Sequence, residues 1–185
     1  MGWLLAVGTP GGVNSGLDGI PACSGIVRLG GKLVYLDLDL YRIWRATAAA
    51  PQAETLISWG TAQGIPDVDD RVRALQEAEL IIDEGPDIQR RVGRLALRLI
   101  GECLGNGTEV SPTFLMLGRN NTKLQVNAYL FEVLLRCDGV TPISITCDAL
   151  DAVRPDPGHP RCIETLTAAL PMLVRNEVVQ LEGVQ

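Results

Sequence analysis

The chain has 185 residues, room for one domain or two small ones, and is 46% hydrophobic but only 4% aromatic, so any core is mainly aliphatic. Its net charge of −6 counts against a protein that lives on a polyanion. No run approaches the roughly 18 apolar residues of a membrane span, the N-terminus lacks a signal-peptide pattern, and five cysteines (Cys23, Cys103, Cys137, Cys147, Cys162) without a C-x-x-C pair suit reduced thiols in a cytoplasm.

From the N-terminus, Trp3 to Gly8, Ile26 to Gly30 and Leu33 to Leu38 are short apolar runs that read as strands of a small antiparallel meander. The glycine-rich stretch Gly8 to Gly16 reads as a flexible connection; it has glycines enough to cradle a phosphate but no Gly-Lys-Ser/Thr. Asp39 is placed to cap a first helix, whose apolar face is Leu40, Ile43, Trp44 and Thr47. Pro51 suits the first turn of a second helix that buries Leu56 and Ile57. Asp67 caps a third, with Val68, Val72 and Leu75 inward, and Leu80 to Ile82 returns as a strand. Asp83 to Arg91 reads as a join.

Beyond it, Arg94 to Gly101 alternates as a strand, and Phe114 to Leu117 and Lys123 to Val126 continue a second meander. Asn127 caps a helix carrying Leu130, Val133 and Leu134. Thr141-Pro142 starts the next. A last helix spans roughly Arg161 to Leu173, with Pro171 expected to kink or end it, and Glu177 to Gly183 closes as a strand.

These halves repeat each other. "GIVRLGGKLVYLDLDLY" (Gly25 to Tyr41) aligns without a gap on "TFLMLGRNNTKLQVNAY" (Thr113 to Tyr129), 88 residues on, setting Asp39 against Asn127. "LQEAELIIDEG" (Leu75 to Gly85) matches "LVRNEVVQLEG" (Leu173 to Gly183) at a spacing of 98. The extra residues of the second copy fall most naturally in Leu150 to Pro160. The expectation is an α+β fold of two modules, 1–85 and 86–185, each running β-β-β-α-α-α-β. A three-helix cluster on a small antiparallel meander resembles the winged-helix architecture.

Most winged-helix domains place helix three in DNA. Here that helix carries Asp67, Asp69, Asp70, Glu77 and Glu79 against Arg71 and Arg73, which repels phosphates. The same acids also favour the positive N-terminus of a helix. Residues 1–85 hold 6 basic and 11 acidic side chains, residues 86–185 hold 10 and 11. The alternative of a DNA-binding regulator therefore rests on the second half, on Arg90, Arg91, Arg94, Arg98 and Arg161.

Between Leu36 and Ile82 the chain resembles the leader-peptide recognition domains of ribosomally made, modified peptide pathways, among them the peptide-chaperone family of pyrroloquinoline-quinone biosynthesis. The resemblance lies in Ile43-Trp44 on helix one, in Asp67, Val68, Val72 and Leu75 on helix three, and in Leu80-Ile81. The second copy has Val133-Leu134 for the Ile-Trp pair and keeps the Asp-Gly that often ends helix one in that family, as Asp138-Gly139. The resemblance implies a non-catalytic binding protein: a peptide or protein segment adds as a strand beside Val34, Tyr35, Leu36 and Asp37, facing Arg71 and Leu75. Leu36 and Leu38 also read as core residues, which leaves Tyr35 and Asp37 as the contact pair. A homodimer is compatible with modules this small.

Catalysis has little to build on. There is one histidine, His159, and no G-x-S-x-G. Cys137, Cys147, His159 and Cys162 are four zinc-type donors, but only His159 and Cys162 are close in sequence, and zinc sites are usually delivered as close pairs. The reading is a binding protein with no cofactor and no metal.

Overall fold

The computed structural model describes residues 2–16, 24–49, 51–110, 112–153 and 160–184. The chain divides into two compact units, Met1–Gly85 and Pro86–Val184. Both are α+β with antiparallel sheets.

The first unit runs β1 (Leu4–Ala6), β2 (Thr9–Asn14), β3 (Ser24–Leu29), β4 (Lys32–Leu36), α1 (Leu38–Ala46), a 3-10 turn (Thr47–Ala49), α2 (Ala53–Ala62), α3 (Val68–Glu77) and β5 (Ile81–Asp83). Its meander is β2-β3-β4, while β1 pairs with β5. The meander is therefore shifted by one strand from the sequence expectation. Thr9 to Asn14, read as a loop, is a strand held by backbone pairing to β3 across a bulge between Pro10 and Gly12. Its glycines give no apolar alternation, so periodicity misses it.

Asp37, and not Asp39, caps α1: its Oδ1 accepts the Leu40 N–H at 2.9 Å. Asp39 lies inside the first turn, where it pairs with Arg42 at 3.4 Å. Starting the helix at Leu38 turns that leucine outward, 40% exposed, against the expectation of a core residue. Ile43 and Trp44 point inward as expected, and the Trp44 indole donates to the Val7 carbonyl at 3.1 Å. They meet Leu56 of α2, Val68, Val72 and Leu75 of α3, Val27 of β3 and Ile81 of β5. Each such fully buried aliphatic side chain contributes about 2 kcal/mol. Pro51 stands before α2, its carbonyl accepting from Leu4 at 3.0 Å. Asp67 occupies the cap position of α3 in a left-handed conformation (φ 49°) and makes no side-chain capping bond.

The second unit runs α4 (Ile88–Gly93), β6 (Ala96–Leu99), β7 (Glu102–Gly107), β8 (Pro112–Leu117), β9 (Lys123–Val126), α5 (Ala128–Leu135), β10 (Asp138–Pro142), α6 (Ile143–Val153), α7 (Cys162–Arg175) and β11 (Val179–Glu182). Here α4 occupies part of the expected join, and β7, another bulged, glycine-bearing strand, completes the meander β7-β8-β9. The pairing of β6 with β11 repeats that of β1 with β5. Even the isolated bridge of Trp3 to Gln52, just before α2, has its counterpart in Ala96 with Pro142, just before α6. Asn127 caps α5 as expected, accepting from Leu130 at 2.7 Å. Pro171 neither ends α7 nor stops it short of Arg175. Helix α6 continues to Val153, through the start of the segment expected as a loop; 154–159, with His159, and Cys23 lie outside the described residues.

The repeat is real in topology, but the gapless alignment slips. The N-caps Asp37 and Asn127 are equivalent, so α1 and α5 align two residues away from the Asp39–Asn127 match. The connection between the paired residues Arg28 and Leu33 is one residue shorter than that between Leu117 and Lys123, which produces part of the slip. The second anchor holds register. Glu79 and Glu177 both adopt left-handed φ (56° and 53°), and Leu80 and Val178 donate back to Leu75 and Leu173, each at 2.9 Å.

Candidate functional site

Strand β4 is the outer strand of its sheet. The two-residue turn at Gly30-Gly31 makes Leu29–Lys32 a hydrogen-bonded pair, so the alternation places Val34 and Leu36 on the β3 ladder as well. Leu33 and Tyr35 therefore direct both N–H and C=O toward the open edge. Their side chains stand on the solvent face, 52% and 42% exposed. No bulge and no proline interrupts β4.

The outer strands β2, β7 and β10 are blunted. β2 and β7 carry bulges, and β2 has Pro10. β10 is closed differently: Asp138 Oδ1 accepts from both Val140 (2.8 Å) and Thr141 (2.7 Å), and Pro142 has no N–H. These bonds, with the one from the Thr141 hydroxyl, hold the Asp138 carboxyl down at about 2. Among the outer meander strands this leaves β4 and β9 as regular edges, and β9 presents Lys123 and Gln125 where β4 presents Leu33 and Tyr35.

At the end of β4, Asp37 both caps α1 and accepts from Arg71 Nη1 at 3.0 and 3.1 Å. Arg71 Nε also donates to the Pro66 carbonyl at 3.0 Å, so one guanidinium ties the residue after β4 to the turn into α3. The fold thus brings Asp37 and Arg71 together just beyond the strand that carries the exposed Tyr35. Val34 is half-buried against the core, and Leu36 and Leu75 are buried within it, so they set the strand's position and are not contact residues. Leu33 and Leu38 are surface residues here, Leu38 against its expected place in the core, and Leu33 shares its strand parity with Tyr35, which is the sequence signal for its exposure. At the α3-equivalent of Arg71, α7 carries Ala169, and Asn127 replaces Asp37: the second unit has no such pair.

The arginines of the DNA-binding alternative do not converge. Arg90 pairs with Asp87 at 3.0 Å on α4, and Arg98 of β6 with the buried Glu182 at 3.3 Å. Arg161, before α7, pairs with Asp148 at 3.1 Å. Arg91 is half-buried, and Arg94 is exposed at the end of α4.

A third group escaped sequence reading. Asp151 of α6 accepts the Tyr129 hydroxyl of α5 and the backbone N–H of Cys162 at 3.1 Å, joining three helices. Burial, then the bond to Asp151, raises the Tyr129 hydroxyl well above the ordinary tyrosine range. Cys147, one turn before Asp151 on α6, and Cys162 are both buried. Among the described residues, no group of three or more His, Cys, Asp or Glu side chains is arranged to hold a metal ion. Among the described residues, no helix is long and apolar enough to cross a membrane.

Comparison with protein-family models, curated proteins and solved structures finds no match to this chain.

Proposed function

We propose that the first unit is a peptide-recognition module, winged-helix-like in layout, that binds an extended segment of a partner by strand addition to β4. One observation carries this reading: β4 is a regular unpaired edge that turns the amides of Leu33 and Tyr35 outward between two exposed apolar side chains. Main-chain bonds to those residues supply affinity, while Leu33, Tyr35 and the Asp37–Arg71 pair supply choice. The resemblance to leader-peptide recognition domains supports the same edge. On this reading the second unit is a companion with a polar edge, and the protein acts by binding, without catalysis. The DNA-binding alternative has less support, because Arg90, Arg98 and Arg161 are engaged by carboxylates and α3 begins Asp69-Asp70.

The test is selection of linear peptides from a displayed random library, followed by amide mapping of the best binder on the full chain by NMR. Shifts centred on Leu33, Tyr35 and Arg71 are expected. Tyr35→Pro, which removes an outward N–H and leaves the β3 ladder intact, should abolish the binding. Shifts confined to β9 or to the second unit would sink the proposal.

A further inference from the structure

We propose that, with no peptide bound, the first unit pairs with a second copy of this chain, β4 to β4, in an antiparallel two-fold ribbon. The inference concerns the same edge as the peptide reading and rests only on its geometry, not on there being a peptide. Symmetry leaves few registers to consider, and the backbone favours one of them. Leu33 and Tyr35 are the residues of β4 that turn N–H and C=O outward. Centring the two-fold on Val34 sets each Leu33 against the second copy's Tyr35, and all of these outward groups are then paired. Centring it on Leu33 would set Tyr35 against Gly31, in the tight turn. Centring it on Tyr35 would set Leu33 against Asp37, whose carbonyl already accepts from the Tyr41 N–H at 2.9 Å. Either register gives up bonds that the Val34-centred one makes.

The side chains fit the same register. On the solvent face Leu33 comes beside the second copy's Tyr35 ring, and both are exposed in the single chain. On the other face the half-buried Val34 meets its own symmetry mate. At each end Lys32 stands opposite the residue before the second copy's Asp37, which is 55% exposed even in its pair with Arg71. Unlike charges therefore meet at both ends of the ribbon. The pairing also closes on itself. It joins two three-stranded meanders into one sheet with β2 at both margins, where Pro10 and the bulge discourage further pairing. A five-residue edge buries less than about 1,000 Å² in all, so the dimer is weak and exchanges with monomer.

The experiment uses the full chain carrying Cys23→Ser and Cys103→Ser, with one new cysteine in β4, oxidised with copper phenanthroline and set against the same chain without it. In the Val34-centred register, Val34 and its mate form a non-hydrogen-bonded pair about 4.5 Å apart at Cα, within disulfide reach. Val34→Cys should therefore cross-link to a covalent dimer roughly tenfold faster than Leu33→Cys or Tyr35→Cys, whose mates lie diagonally at about 7–8 Å. Sedimentation equilibrium of the unaltered chain needs no new cysteine, and its mass should rise toward that of a dimer with concentration. Tyr35→Pro, which removes an outward N–H from each copy, should stay monomeric. Cross-linking fastest at Leu33→Cys or Tyr35→Cys, or an unaltered chain that stays monomeric up to about 1 mM, overturns the proposal. The two readings fail separately. Peptide shifts at Leu33 and Tyr35 without a Val34→Cys dimer would keep the peptide reading and sink this one; the dimer without any peptide binder would do the reverse.

Discussion

Tyr41 of α1 and Phe131 of α5 hold the same place in the two units, four residues beyond their caps, and their surroundings are opposites. In the first unit Gly25 leaves its side-chain space to the Tyr41 ring, which stacks on Trp44 with centroids 5.8 Å apart. In the second, Phe114 stands at the corresponding point of β8 and packs on Phe131 at 5.2 Å. The helix ties differ too. Arg42 reaches Gln63 at 3.3 Å across the first cluster, whereas Tyr129 and Asp151 close the second. One framework thus accepts two solutions to each packing problem. What diverges furthest is the surface of the outer meander strand: apolar with an ion pair in the first unit, polar in the second.

The sharpest way to break the comparison is Gly25→Ala, whose methyl would fall within the Tyr41 ring. It should cost about 3 kcal/mol or more in urea unfolding, and Tyr41→Ala in the same chain should recover part of the loss. The converse change, Phe114→Ala, opens a cavity beside Phe131 and should cost about 2–3 kcal/mol. Next comes the second unit's own tie. Asp151→Asn weakens acceptors for Tyr129 and Cys162 and should cost about 2 kcal/mol, with no counterpart effect in the first unit.

The caps come third. Asp37→Ala should lose about 1–2 kcal/mol, Asn127→Ala about 1 kcal/mol, and Asp37→Asn, which keeps the cap but not the ion pair, less than either. Glu79→Gly and Glu177→Gly should each stabilise by about 0.5–1 kcal/mol, since glycine adopts their left-handed backbone without strain. The last contrast is in pH. Asp138 is depressed from the ordinary 3.8 to about 2, so its contribution is present above 3.8 and lost as pH falls toward 2. Amide exchange at Val140 and Thr141 should quicken in that window, with no matching change in the first unit.

The parts legible in the sequence are those in which side chains dictate backbone. Helix faces such as Ile43, Trp44, Val72 and Leu75 were read correctly from their spacing, as was the Asn127 cap. The Leu75-to-Gly85 and Leu173-to-Gly183 match held because both segments end a helix with the same backbone turn. The illegible parts are those in which backbone dictates itself. β2 and β7 are glycine-bearing and bulged, and they pair through amides that leave no pattern of apolar residues. The Asp39 cap was misplaced because turn lengths differ between the meanders, and a gapless match cannot register that. At the candidate site, strand parity singles out Tyr35 and Asp37 and the family resemblance singles out Arg71, but the bonds that tie Arg71 to Asp37 and to the Pro66 carbonyl are visible only in three dimensions. The Tyr129–Asp151–Cys162 hub joins three helices at wide sequence separation and had no local signature.

The unguarded edge of β4 has a consequence for the protein in concentrated solution. Amides open to a partner's strand are equally open to another chain's β4, and nothing in Leu33 or Tyr35 discourages that. Recognition and self-aggregation compete for the same few hydrogen bonds, so peptide occupancy should also act as a solubiliser. Light scattering of a concentrated sample should fall when Leu33 is changed to lysine, whose charge guards the edge, and fall likewise when a bound peptide covers it.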